Sequence, residues 1–230
     1  VRGFVICLLW SYKNPVHEQR IQELIKKECP EYLLGSVPTF LSSEICPKGG
    51  DYPRMITTIL SAYLHNTMWT ELFGLSRELR TKGYKGKPIM MVHNTGGMAD
   101  LYHSTAIQCH SGGPVAGLVG AAYLGKLIGY QNIVVGDVGG TSFDIGTVVK
   151  GAVSNYAWKP SIEEWQVNLS ILETLSIGAG GGSIAWINKT LGNRLEMGPR
   201  SAGARPGPAA YDLGGTEPTT TDADLILGYL

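Results

Sequence analysis

The segment Ile133-Val134-Val135-Gly136-Asp137-Val138-Gly139-Gly140-Thr141-Ser142-Phe143-Asp144-Ile145-Gly146 holds the residues best suited to chemistry. An apolar strand delivers Asp137 at its end, and two glycines with a hydroxyl residue turn the chain back into a second strand. Without side chains at Gly139 and Gly140, successive backbone N–H groups can converge on phosphate oxygens, and the Thr141 hydroxyl can add a further hydrogen bond. Asp137 is placed to hold a hydrated Mg²⁺ beside the phosphates or to orient an attacking oxygen. The plain alternative is a tight hairpin whose aspartate caps the turn. No Gly-Lys-Ser or Gly-Lys-Thr follows the glycines, and a hairpin stands where a Walker loop has a helix, so this is not a Walker loop.

A second bare stretch is Gly178-Ala179-Gly180-Gly181-Gly182. Backbone this exposed admits a ligand or another chain at close range, with Gly180 and Gly181 as the contacts, or else it is a flexible turn between strands. Both readings stay open. His93, His103 and His110 flank a turn and strand, with Asp100 between them. Imidazole suits a general base or a metal ligand, and His93, beside Asn94-Thr95-Gly96-Gly97, is the best placed. The spacings match no standard zinc pattern, and taken singly each histidine reads first as a hydrogen-bonded structural residue. Trp158 and Trp165 read as core or subunit interface.

The elements that must position these residues form an α/β pattern. Phe4 to Trp10 is a continuous apolar run, expected as a strand covered on both faces. Asn14-Pro15 opens a helix with an apolar stripe at Ile21, Leu24 and Ile25, ending near Cys29-Pro30. Leu33 to Ser42 is a weaker strand-like piece. Arg54 to Lys82 carries Ile56, Ile59, Leu60, Tyr63 and Leu64 at helical spacing. Ile89 to Val92 is a short strand. From Gly113 to Gly129 small residues recur at Gly113, Ala116, Gly117, Gly120 and Ala121, the mark of a helix that packs its backbone close to neighbours. Ile133–Val135 and Ile145–Val149 form the hairpin strands. After Lys150 the pattern is β-like and loop-rich, and Thr221-Asp222 caps a final helix of about two turns. The expected division is 1–130, including the connecting helix, and 131–230, beginning with the phosphate hairpin.

The chain has 230 residues, 43% hydrophobic and 17% charged, with 19 basic and 19 acidic side chains. Neutrality argues against a sequence-independent nucleic-acid binder, and the apolar content against disorder. The longest smoothly apolar stretch, Pro114 to Tyr130, is interrupted by Lys126 and by glycines, so no membrane span is expected. Cys7, Cys29, Cys46 and Cys109 are widely spaced and read as free thiols of a reducing cytoplasm. Glycine, at 31 residues, has roughly twice its average share, and most of it lies from Gly96 onward. A first residue that is valine, and the shortness of the last helix, lead us to expect an internal piece of a longer protein.

A small-residue helix, a buried strand and an Asp-x-Gly-Gly-Thr hairpin, in that order, resemble the connecting helix and second phosphate loop of the actin-like fold shared by sugar kinases and heat-shock chaperone ATPases. The resemblance to the A-type subunit of the hydantoinase, 5-oxoprolinase and acetone carboxylase family is more specific and covers nearly the whole chain. It rests on Leu8-Leu9-Trp10-Ser11-Tyr12, Asn14 to Arg20, Ser43-Glu44-Ile45, Asn94 to Gly97, the phosphate hairpin, Ile177 to Ala185, Gly198 to Pro208, Gly214 to Thr219 and Thr221-Asp222-Ala223. The resemblance implies a partial actin-like ATPase fold, ATP with Mg²⁺, and phosphoryl transfer that activates a carbonyl compound. Asp137, Gly139, Gly140 and Thr141 would bind the nucleotide phosphates, with Asp144 closing the hairpin.

A ketone-carboxylase branch, using bicarbonate and a ketone to make a 3-oxo acid, is favoured by His110-Ser111-Gly112-Gly113-Pro114 and by Phe143. Cyclic amide hydrolysis (hydantoinase or 5-oxoprolinase) and a non-catalytic ATPase scaffold are the alternatives. A B-type second subunit is implied as partner. A first phosphate loop upstream and an adenosine loop downstream have no counterpart here, so half a nucleotide site is expected. Ser111-Gly112-Gly113-Pro114 is one glycine longer than the family pattern, and Arg205 and Ala210 replace an acidic residue and a cysteine.

Overall fold

The computed structural model describes residues 3–29, 37–153 and 156–230. The chain forms two compact units. One runs to Val115 and takes in a later segment ending at Leu172; the other runs from Ala116 and, after that excursion, from Glu173 to Leu230.

In the first unit β1 (Phe4–Ile6) pairs in parallel with β2 (Thr39–Leu41). The strand expected to reach Trp10 stops at Ile6: the chain turns at once, leaving Leu9 75% and Trp10 59% exposed. The expected strand-like piece Leu33–Ser42 lies partly outside the described residues, as does Pro30; β2 is its observed part. Helix α1 (Val16–Glu28) begins at Asn14-Pro15, with the Val16 amide donating to Asn14 Oδ1 at 3.2 Å. Its buried residue is Glu18 rather than the apolar stripe.

That burial is stabilised by neighbours. The Leu8 and Ser43 amides and the Ser42 and Ser43 hydroxyls all donate to the Glu18 carboxylate at 2.7–3.0 Å. Ser42, the first residue of α2 (Ser42–Ile45), in turn accepts from Nε of Arg54, which is fully buried in α3 (Asp51–Met68). Burial pushes the Glu18 carboxyl up, but the four donors more than offset it and hold its pKa below the ordinary value.

The long helix expected over Arg54–Lys82 is broken by a π-helical turn, Trp69–Phe73, before α4 (Gly74–Thr81). Trp69 and Phe73 stack there with ring centroids 4.1 Å apart. Strands β3 (Met90–Val92) and β4 (Met98–Asp100) make an antiparallel hairpin around the Asn94–Gly97 turn, and α5 (Ala106–Cys109) follows. A second small hairpin joins β7 (Ser161–Ile162) to β8 (Trp165–Gln166). Trp158 is 91% exposed and Trp165 about half exposed, so neither belongs to this unit's core.

The chain enters the second unit within α6 (Gly112–Ile128). There β5 (Ile133–Val138), β6 (Phe143–Val148) and β9 (Leu175–Ile177) form an antiparallel sheet in the order β5-β6-β9. Helix and sheet meet through glycine. A methyl group on Gly146 would stand 2.9 Å from Leu118, and one on Gly125 would overlap Ile133. The close approach of α6 to the sheet is therefore made at Gly125 and Gly146, whereas at the expected positions Gly113, Gly117 and Gly120 an added methyl would meet nothing within 4 Å. A longer hairpin, β10 (Ser183–Asn188) with β11 (Arg194–Ser201), precedes α7 (Thr220–Leu227). The cap of α7 is Thr219, with Asp222 as the reciprocal partner in a capping box; Thr221 lies inside the first turn. Among the described residues no helix is long and apolar enough to cross a membrane, and all four cysteines are free.

Candidate functional site

The β5–β6 hairpin brings Asp137, Gly139, Gly140, Thr141 and Asp144 together. Its ladder pairs Val138 with Phe143 and Asp137 with Asp144, and the turn closes where the Gly139 amide donates to the Ser142 carbonyl at 2.8 Å. Residues directly opposed in an antiparallel pair share a face, so the two carboxylates look the same way. Asp137 is exposed; Asp144 is half-buried and accepts from the Ser142 hydroxyl at 3.0 Å. Opposed like charges disfavour the hairpin until a cation is shared between them. Among the described residues no group of three or more His, Cys, Asp and Glu converges. A cation at this pair would thus fill most of its shell with water and ligand oxygens, the habit of Mg²⁺ rather than of zinc.

What aims the turn is the second glycine run. The Gly181 amide donates to the Gly139 carbonyl at 2.9 Å and the Gly182 amide to the Gly140 carbonyl at 2.6 Å. In a trans peptide the N–H points opposite to the C=O. Fixing those two carbonyls toward the glycine run therefore directs the N–H groups of Gly140 and Thr141 away from it, and neither has a partner among the described residues. Two consecutive outward amides on an exposed turn make an anion nest.

These amides are the ends of longer aligned chains. The Thr221 amide and hydroxyl both donate to the Gly181 carbonyl, at 2.8 and 2.9 Å. The same peptide group carries the Gly182 N–H that holds the Gly140 carbonyl, whose peptide ends in the Thr141 N–H. In parallel, the Ala202 amide donates to the Gly182 carbonyl at 2.8 Å, and the Ser183 amide to the Gly180 carbonyl at 3.0 Å. The Gly181 amide then holds the Gly139 carbonyl, whose peptide ends in the Gly140 N–H. Dipoles aligned in this way polarise one another and strengthen the terminal donors.

Gly180 and Gly181 are thus close to the hairpin, but as its floor. The Gly180 amide donates to the Ser183 hydroxyl at 2.9 Å and the Gly181 amide is spent on Gly139. A methyl on Gly180 would lie 2.6 Å from the Gly139 oxygen and 2.7 Å from the Thr141 nitrogen. What approaches this bare backbone is the phosphate-loop candidate itself, with Thr221 on the other side. Gly140 differs, because a methyl there would meet nothing within 4 Å. Ser183, Ala202 and Thr221 were not singled out as site residues from sequence; they stood there only within the motifs that carry the family resemblance, with Thr221 also read as a helix cap.

His93 lies in the other unit, half-buried after β3. The Ser104 hydroxyl donates to the Asp100 carbonyl at 2.9 Å, so the His93 Nε2–H is the donor to Ser104 Oγ, also at 2.9 Å. Nδ1 is left as a proton acceptor. Asp100 pairs with the exposed His103 at 2.6 Å, and this hydrogen bond is the main cause that holds its carboxyl below the usual range. His110 is half-buried, and burial pushes its pKa down.

A hydantoinase/oxoprolinase family model matches residues 54–230. The acetophenone carboxylase gamma subunit of Aromatoleum aromaticum is 50% identical over 229 residues, covering 100% of this chain and 31% of the relative. Acetone carboxylase, solved nucleotide-free, superposes with a TM-score of 0.87 at 31% identity, over 100% of this chain and 32% of that one. The ATP-dependent caprolactamase of Pseudomonas jessenii gives a TM-score of 0.68 at 31% identity, again over 100% and 32%. The chain spans about a third of the length of these relatives. Its fold is α/β, of the actin-like ATPase kind that the sequence resemblance implied.

Proposed function

We propose that this chain, which belongs to the hydantoinase/oxoprolinase family, supplies the phosphate-binding half of a nucleotide site in the ATP-binding subunit of an ATP-dependent ketone carboxylase. The observation that carries the phosphate assignment is the pair of outward Gly140 and Thr141 amides at the ends of aligned peptide chains. Those two N–H groups bind phosphate oxygens, and the Thr141 hydroxyl adds a third donor. Gly139, whose carbonyl is held from below, gives the turn its shape, while Gly180 and Gly181 support it. Asp137, with Asp144 opposite, holds Mg²⁺ through water. His93 accepts a proton at Nδ1, the ring nitrogen that Ser104 leaves open.

ATP, when bound, supplies the phosphoryl group that activates the carbonyl compound or bicarbonate. The C–H bond beside the ketone carbonyl breaks, its proton passing to a base such as His93 Nδ1. That carbon bonds to the carboxyl carbon of phosphorylated bicarbonate as the C–O bond to the phosphoryl group breaks, giving a 3-oxo acid and releasing phosphate. The ketone is favoured over an amide by the 50% identity to the acetophenone carboxylase gamma subunit. That relative is named as a subunit, which supports a hetero-oligomer with a B-type partner. Hydrolysis of a cyclic amide is the second reading, favoured by the likeness to ATP-dependent caprolactamase, and it would use the same phosphate loop.

The test is phosphate release by the native protein, with the subunits that co-purify with it, across ketones with bicarbonate, hydantoins, 5-oxoproline and caprolactam. Release that requires ketone and bicarbonate together is the expected result. Release driven by a cyclic amide alone would transfer the chain to the amidohydrolase branch, and release indifferent to every substrate would leave only an ATPase.

A further inference from the structure

The geometry points to Thr221 as a positioning residue for the phosphate loop. This inference rests on the nucleotide reading of the hairpin and assigns part of its donor strength to a residue that touches no ligand.

Thr221 is buried, and it is unusual in giving two donors to one acceptor: its amide and its hydroxyl both reach the Gly181 carbonyl. For the helix alone one of these would suffice. The hydroxyl of a threonine in the first turn of a helix commonly serves its own backbone, and in α7 that task already falls to Thr219, which caps the Asp222 amide. The Asp222 carboxylate returns the bond to Thr219 and also accepts from the Ala210 amide at 2.7 Å, so the turn is held without Thr221. The Thr221 hydroxyl is therefore directed at the glycine run.

Its effect is carried in two steps. The Gly181–Gly182 peptide accepts at its oxygen and donates from Gly182 to the Gly140 carbonyl, and the Gly140–Thr141 peptide presents its N–H outward. A donor added at the head of this chain polarises the Thr141 N–H at its end. A methyl on Gly181 would stand 2.8 Å from Thr221 Oγ1, so glycine at 181 is what allows the hydroxyl to reach the carbonyl.

The experiment uses the intact native protein. Thr221→Val keeps the shape of the side chain and removes the hydroxyl donor; Thr221→Ser restores the donor without the methyl. Affinity for Mg-ADP by calorimetry, KM and kcat for ATP, and the thermal midpoint are measured for each. A weakening of about twofold in nucleotide affinity, a fraction of the net worth of one charge-assisted hydrogen bond, is expected for Thr221→Val, with KM rising more than kcat falls. Thr221→Ser should recover it. Unchanged affinity in Thr221→Val, or equal losses in both variants, overturns the assignment. A wild-type protein that binds no Mg-ADP overturns the nucleotide reading itself, and with it this inference. If Thr221→Val does not fold, wild-type affinity in Thr221→Ala overturns the assignment, and a loss there that Thr221→Ser recovers supports it.

Discussion

Asp137 and Asp144 stand directly opposite each other across the β5–β6 hairpin, one exposed and one half-buried, with the glycine turn two residues beyond them. Two carboxylates in that register work against the hairpin they belong to, by about 0.2–1 kcal/mol relative to a neutral pair. The Mg²⁺ proposed for this pair would relieve that repulsion, so the arrangement would gain stability on binding the cation.

Asp137→Asn tests that trade. Removing one charge should leave assembly intact and make the unliganded protein slightly more stable, by about 0.2–1 kcal/mol. ATP turnover should fall roughly 100-fold, the scale of losing one preorganised electrostatic contact to developing charge. Thermal unfolding without nucleotide and steady-state turnover measure the two halves. Near-normal turnover would remove Asp137 from the site.

The Gly180 floor makes the opposite prediction. Gly180→Ala forces a methyl to within 2.6–2.8 Å of the Gly139–Thr141 backbone, which has no flexible side chain to yield. Overpacking of this kind costs roughly 1–3 kcal/mol. A lower thermal midpoint accompanied by weaker nucleotide binding is expected. Full stability would show that the two glycine runs are not in contact.

In the first unit the Glu18 network predicts a pH dependence. The folded pKa of Glu18 lies below its ordinary value of 4.5, so its stabilisation is complete above that value and is lost as pH falls through the lower, folded one. Glu18→Gln should cost roughly 1–3 kcal/mol at neutral pH by leaving donors badly matched. The difference between wild type and variant should shrink on acidification below 4.5. Denaturation midpoints compared at pH 7 and at pH 3–4 check this; a constant difference would contradict it.

The β5–β6 hairpin and the helix before it were legible in the sequence because both depend on residue type: an apolar run ending in Asp137, paired glycines, and a run of small residues; the glycine through which that helix meets the sheet, Gly125, was not among those singled out. The support beneath the hairpin was not legible. It consists of backbone amides of Gly181 and Gly182 meeting carbonyls about forty positions earlier in the chain, groups that every residue carries. The bareness of Gly178–Gly182 gave the fact of a close approach but not its source, which is the chain's own hairpin and Thr221. On α1 the apolar stripe misdirected the reading: Glu18 is buried because Ser42, Ser43 and the Leu8 amide satisfy it, and two of those lie more than twenty residues away. The π-turn at Trp69–Phe73 leaves helical periodicity nearly intact on either side, so a single long helix was the natural expectation.

The most direct test of the central claim is the affinity of the native protein for Mg-ADP in the wild type and in Gly140→Val. Gly140 has an ordinary backbone conformation, and a methyl there meets nothing within 4 Å, so the chain itself can accommodate the change. An unaltered thermal midpoint with nucleotide affinity lowered at least tenfold is the result predicted, since the added side chain would occupy space that phosphate must enter. Unchanged affinity with an unaltered fold would mean that phosphate is bound elsewhere and that the hairpin is not the cradle.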